Sequence, residues 1–260
     1  AEKVVEILKF SSELGIKGFV ASTHPNLRGV IEHIVKNTDL SRKLTIYPIV
    51  PYAQGYVIRM TELGMVGALI DILKPASMHE KLSIIMKGGI DILTQDVKGL
   101  AKAMIDIELL PVKKMNFKAV FLHDVVTDLA LALKSKEAFE IFINHIKNKY
   151  KVTPGLVTKN FAMLVKQLDE WNLEMPLIMT SFNKVGFQMN PSREDCEKCL
   201  RDYKVDVIAM STLAAGYLKP AEAYDYLFKL PNIKSVVVGV STKQHAKETF
   251  EMLKGYFNIS

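Results

Sequence analysis

The chain has 260 residues, 49% of them hydrophobic and 24% charged, with a formal net charge of +6, the size and make-up of one globular domain with a large core. No apolar run approaches the ~18 residues that cross a bilayer, and the charged opening Ala1-Glu2-Lys3-Val4-Val5-Glu6 lacks the pattern of a secretory signal, so the expectation is a cytoplasmic protein without a membrane segment. Two cysteines cannot build a disulfide framework, and 34 basic against 28 acidic residues spread along the chain read as solvated surface rather than a nucleic-acid patch.

In chain order, residues 2–13 have a helical pattern and precede the first strand, where they could close the base of a barrel. Eight short, continuous apolar runs then read as strands: residues 16–22, 44–50, 65–72, 117–122, 152–158, 176–181, 206–211 and 235–240. Runs without polar alternation suit parallel strands covered on both faces. Between them lie amphipathic stretches. Phe161, Leu164, Val165, Leu168 and Trp171 recur at three and four residues, and Val97, Leu100, Met104 and Ile107 do the same. The basic cluster Lys147-Asn148-Lys149-Tyr150-Lys151 falls where a helix should end, and cations are stabilising there. Strand–helix alternation carried to eight predicts an α/β fold of the TIM (β/α)₈ type, eight parallel strands with an additional N-terminal helix, formed by residues 1–260 as one domain. An open doubly wound sheet is the alternative. Against it, no strand is followed by G-x-G-x-x-G or G-x-x-x-x-G-K-[ST].

In such a barrel the working groups stand at the C-terminal ends of the strands. The polar residues there are Ser22-Thr23-His24, Tyr52 with Gln54, Asp71 and Lys74, and His123-Asp124. The later strands deliver Thr158-Lys159-Asn160, Thr180-Ser181 with Asn183-Lys184, Ser211-Thr212, and Gly239 with Ser241-Thr242. Hydroxyls, amides and lysines predominate, which suits an anion or a nucleotide and serves a divalent metal poorly, so a metal-free site is expected. His123 directly follows an apolar strand, the position of a group that polarises a substrate oxygen. The loops after Ser211 and Gly239 are the expected phosphate site.

Cys196-Glu197-Lys198-Cys199 has the spacing of a redox or metal pair. However, Cys196, Cys199, Leu200 and Tyr203 fall at i, i+3, i+4 and i+7 of a helix that Ser192 would cap with Asp195. That spacing predicts two core thiols.

Four segments of the second half resemble the aldo-keto reductases. Phe121-Leu122-His123 is similar to the family's fourth-strand ending, and Leu156-Val157-Thr158-Lys159-Asn160-Phe161 to its G-V-S-N-F segment. Val207-Ile208-Ala209-Met210-Ser211-Thr212-Leu213, with Gly216-Tyr217-Leu218, resembles A-Y-S-P-L-x-x-G-x-L. Val236-Val237-Val238-Gly239-Val240-Ser241 resembles I-x-P-G-x-S. The resemblance implies a nicotinamide cofactor, NADP, held by Thr158, Asn160, Thr180, Ser211, Gly239, Ser241 and Thr242. Three positions depart from the pattern: Met210 stands for the Tyr that stacks on nicotinamide, Thr180 for the Gln that holds its carboxamide, and His245 stands near the position of the 2′-phosphate Arg.

The first half admits two alignments to the family. One sets Gly15-Ile16-Lys17-Gly18-Phe19 against G-I-N-F-F-D-T-A. It puts Val20, Pro25 and Ile49 where the family has its Asp, Tyr and Lys, and leaves the barrel's first strand before Ala1. The other keeps the strand numbers, so that Tyr52 (with Tyr56 nearby), Lys74 and His123 form three parts of the family's tetrad. The second is preferred because it completes eight strands within the chain.

Three functions follow. The first is an oxidoreductase reducing a small carbonyl substrate, with Tyr52 as acid, Lys74 lowering its pKa and His123 holding the oxygen. The second is a cofactor-free lyase or aldolase in which Lys159, near Lys184, forms a Schiff base. The third is a barrel that binds a nucleotide or other phosphorylated ligand without turnover.

Overall fold

The computed structural model describes residues 1–36, 38–52 and 97–257. Helix α1 (Glu2–Glu13) leads into β1 (Gly18–Ser22), followed by α2 (Leu27–Lys36), α3 (Thr38–Lys43) and β2 (Thr45–Val50). After α4 (Val97–Leu109) come β3 (Asn116–Phe117), β4 (Ala119–Leu122), α5 (Asp124–Ala132) and α6 (Lys136–His145). Strand β5 (Thr153–Thr158), α7 (Phe161–Glu170), β6 (Leu177–Ser181), α8 (Arg193–Asp202), β7 (Val207–Met210), α9 (Pro220–Leu227), β8 (Ile233–Val236) and α10 (Lys243–Phe257) complete it.

All pairings are parallel, and the sheet order is β1-β2-β4-β5-β6-β7-β8, with β3 also on β2. Strand–helix alternation thus gives the TIM-like α/β fold, a parallel sheet curled into a half-barrel within a layer of helices. The run at 117–122 became two pieces. Ile46 pairs with Phe117 and Ile49 with Phe121, so one extra residue on this side makes a bulge around Lys118. The run at 235–240 ends early as a strand, since Ile233 opens the pairing with Val207 and Val236 closes it with Ala209.

Strand β2 pairs directly with β4 through Ile49–Phe121 and Val50–Leu122. The 65–72 run lies outside the described residues. Among the described residues no pairing joins β8 to β1. Helix α1 spans that side. Its Glu6 pairs with Lys243 Nζ at 2.6 Å, and Gly15 just beyond its end lies beside Lys254. The helix therefore runs parallel to α10 and also packs on α2. It is a member of the outer layer, not a plug at the base.

The alternation of side chains along parallel strands divides the core in two. Val120, Leu122, Leu156, Ile178, Val207 and Ala209 face the helices within the large outer cluster. Ala119, Phe121, Val157, Met179 and Ile208, joined by Val20, Tyr47, Ile49, Met210 and Val237, fill the concave face. Cys196 and Cys199 are 0% and 2% exposed on α8, whose N-terminus is capped as predicted: Asp195 N–H donates to Ser192 Oγ at 3.0 Å.

Candidate functional site

Side-chain parity decides which strand ends reach the mouth of the half-barrel. The concave set continues past Phe121 to His123, past Val157 to Lys159 and past Met179 to Ser181, because successive side chains alternate. Residue 123 keeps an extended backbone at φ −62° and ψ 144°, so the alternation reaches it. Its N–H donates to Val50 O at 2.8 Å. Tyr52 follows Val50 by two residues, so Tyr52 and His123 leave the same end of adjacent strands.

His123 caps α5. Its Nδ1 lies 2.7 Å from Asp124 Oδ1, and that oxygen also accepts Val125 N–H at 2.9 Å. Asp124 Oδ2 is 3.6 Å from Lys159 Nζ. One turn further along α5, Asp128 accepts the Thr158 hydroxyl at 2.5 Å and Lys159 N–H at 3.2 Å. The Thr158 hydroxyl in turn accepts Asn160 N–H at 2.9 Å. Thr158 is therefore fully engaged within the protein and shapes the β5 loop, while the Asn160 side chain has no partner among the described residues.

On the neighbouring loops, Asn183 acts as a fixed joint. Its Oδ1 accepts Phe187 N–H, and its Nδ2 donates to Phe187 O at 2.8 Å and Ser211 O at 3.3 Å. Ser211 itself has φ 54°, and Ala214, Ala215 and Gly216 follow in the same left-handed region. Such conformations in non-glycine residues cluster at binding sites. The Ser181 hydroxyl is buried without a partner, as is that of Ser22 at the end of β1. Thr180 is also buried. At α10, Thr242 Oγ1 accepts His245 N–H at 3.1 Å, and Gly239, Ser241 and Thr242 are all exposed.

The first half contributes a buried carboxylate. Glu108, 8% exposed on α4, accepts the Thr23 hydroxyl and the Tyr52 N–H, the latter at 3.2 Å. The Tyr52 ring stands edge-on to His24 with centroids 4.7 Å apart. Lys74 and Tyr56 lie outside the described residues. Val20 and Ile49, which the other alignment sets at the family's Asp and Lys, belong to the concave apolar cluster.

Sequence reasoning missed Asp128 and Glu108, and placed Asn183 at a strand end without its role as a joint. Each acts on a residue far along the chain, so no local spacing marks it. Asp124 sat in plain view beside His123, but its role needs the ring's orientation. The Schiff-base reading of Lys159 required a desolvated amine beside Lys184. Instead Lys159 faces Asp124, is 44% exposed, and Lys184 pairs with Glu222 at 2.6 Å.

No family model matches the chain, and no curated protein matches it. Solved structures do. A Pseudomonas aeruginosa protein described as an aldo-keto reductase superposes with a TM-score of 0.64 at 12% identity, over 98% of this chain and 84% of that one. An aldo/keto reductase of Brucella melitensis gives 0.57 at 14% identity over 96% and 84%. The silkworm Bombyx mori aldo-keto reductase, solved in complex with NADPH, gives 0.55 at 13% over 96% and 73%. The chain therefore has the fold of the aldo-keto reductases.

Proposed function

We propose that this protein is a divergent aldo-keto-reductase-like oxidoreductase that acts on a small carbonyl compound with NADP laid across the ends of β5 to β8. The observation that carries the reading is the mouth of the half-barrel. There, in a fold shared with an NADPH-bound reductase, the His123 ring is held by Asp124 at the concave face while Nε2 has no hydrogen-bond partner among the described residues.

The residues present suit such a cofactor. The open N-terminus of α10, with exposed Gly239, Ser241 and Thr242, offers backbone N–H groups and hydroxyls to a phosphate. The unpartnered Asn160 amide and the buried, unsatisfied Ser181 hydroxyl suit a carboxamide, with Thr180 and Ser211 beside them. Thr158 acts by holding Asn160. The nicotinamide, when bound, supplies a hydride. His123 holds the substrate oxygen, Tyr52 on the adjacent strand end is the second group for that oxygen, and Val20, Ile49 and Met210 keep the surface beneath apolar. Lys74 as the tuning cation of Tyr52 is a proposal from sequence. No Asp stands five residues before Tyr52 or Tyr56, which predicts slow turnover and favours a second reading, binding without turnover.

The test is an NADPH fluorescence titration followed by aldehyde-dependent NADPH oxidation. We expect saturable binding and slow oxidation. His123→Gln should lower the rate by about 10²-fold with nearly unchanged NADPH affinity, and Tyr52→Phe should do the same if its hydroxyl gives the proton. Binding without oxidation selects the second reading. No binding of NADPH or NADH ends both.

A further inference from the structure

The contacts around His123 contain a conflict that a proton on Nδ1 resolves. Nδ1 is 2.7 Å from Asp124 Oδ1 and 3.3 Å from Val125 N. If Nδ1 accepted from Val125 N–H, the ring's lone pair would face a carboxylate oxygen at 2.7 Å, two acceptors in contact. If Nδ1–H donates to Asp124, that clash becomes a charge-assisted hydrogen bond. Val125 loses nothing, because its N–H already bonds the same Oδ1 at 2.9 Å. Lys159 Nζ, 3.6 Å from the other carboxylate oxygen, favours the ionised acid, and Asp128 fixes Lys159 through its backbone N–H.

We propose that Asp124 is a positioning residue that holds His123 in the Nδ1–H tautomer, so that Nε2 is the proton-exchanging atom of the site. A neutral imidazole with its hydrogen on Nδ1 presents a bare lone pair at Nε2. It accepts a proton from an alcohol and cannot donate to a carbonyl. Once protonated, Nε2–H donates to a carbonyl oxygen, and as the carbonyl carbon takes up the hydride that the proposed nicotinamide would supply, the C=O π bond opens, the proton passes to the oxygen and neutral imidazole is left. Carbonyl reduction then belongs to the imidazolium and alcohol oxidation to the neutral ring. Among the described residues, the charged groups facing the ring are Asp124 and, across it, Lys159, with Asp128 behind them. The inference rests on the mouth being the working end, as proposed above.

The tautomer is directly observable without any ligand. Long-range ¹H–¹⁵N correlation spectra of protein carrying ¹⁵N-labelled histidine, recorded well above the imidazole pKa, distinguish the two nitrogens. Loss of one signal in His123→Gln assigns it among the six histidines. We expect the His123 proton on Nδ1 in the wild type and on Nε2 in Asp124→Asn, whose amide can donate to Nδ1. A wild-type proton on Nε2 overturns the proposal outright. A wild-type proton on Nδ1 that stays there in Asp124→Asn overturns the role of Asp124. Because no cofactor is present, a failed NADPH titration and a failed tautomer assignment are separate results. Where turnover is measurable, the wild-type reduction rate should fall toward alkaline pH while alcohol oxidation rises. Asp124→Asn should lower the limiting rates and not the NADPH affinity.

Discussion

Asp106, on α4 and away from the mouth, shows how one carboxylate joins three elements. Burial alone would raise its pKa. Hydrogen bonds from His145 Nε2 at 2.8 Å, from Lys149 and from Tyr150 Oη at 2.7 Å outweigh that and hold it below the ordinary carboxylate value. Burial, and then the same carboxylate, push the Tyr150 hydroxyl upward. A depressed folded pKa gives stability that is present above the unfolded value of ~3.9 and is lost as pH falls through the folded one. Asp106→Asn should therefore cost about 2 kcal/mol at pH 7 and flatten the acid side of the stability profile. Urea melts at several pH values would show this, and an unchanged midpoint at pH 7 would refute it. At the same scale, burial pushes the Cys196 and Cys199 thiols up to about 11 and about 12. Thiol reagents at pH 8 should leave both unmodified in the native protein and label both in denaturant; rapid native labelling would contradict their core placement. The helical spacing of these cysteines was legible in the sequence because i, i+3, i+4 is a local signal. Asp106 was not, since its partners lie 39 to 44 residues away.

At the scale of elements, parallel strands announced themselves as apolar runs, and the described ones stand within a few residues of expectation. What the runs could not convey was neighbour order. The direct pairing of β2 with β4 through Ile49–Phe121 and Val50–Leu122 is settled by which concave side chains interlock. Two glycines show how. The concave face takes the Phe121 ring directly over Gly155 and the Tyr47 ring over Gly18. A Cβ at these positions would lie 2.4 Å and 2.8 Å from the ring carbons. Gly155 pairs with Phe121 in the β4–β5 register, so a missing side chain on one strand is filled from the next. Gly155→Ala should cost about 1–3 kcal/mol by overpacking. Adding Phe121→Leu should restore part of that loss, because the two residues share one space. A strictly additive double variant in thermal melts would show that the contact is not the cause.

At the scale of the whole molecule, the legible part of the site was its distribution: hydroxyls and amides at the ends of β5 to β8, His123 on β4. The illegible part was which of these groups is already occupied. Thr158 and Asn183 are tied into the protein, while among the described residues the Asn160 and Ser181 side chains are not and α10 begins on exposed residues capped by Thr242, and only the folded arrangement separates them. Under the proposed function, that separation sets where NADP would lie. NADP should protect two segments from amide exchange together, the left-handed turn at Ser211–Gly216 and the α10 start at Gly239–His245, with little change in the outer helices α2 and α6. Saturation at 100 times the dissociation constant stabilises a native state by about 2.7 kcal/mol, which for a chain of this length raises the melting temperature by roughly 5–10 °C. A thermal shift with protection of both loops supports the proposed placement across β7 and β8. A shift with protection confined to the β1 and β2 ends, around Thr23 and Tyr52, would move the ligand to the side of Glu108 and overturn it. Inorganic phosphate at millimolar concentration should protect the α10 start alone, because the turn after β7 has no comparable helix terminus to offer an anion.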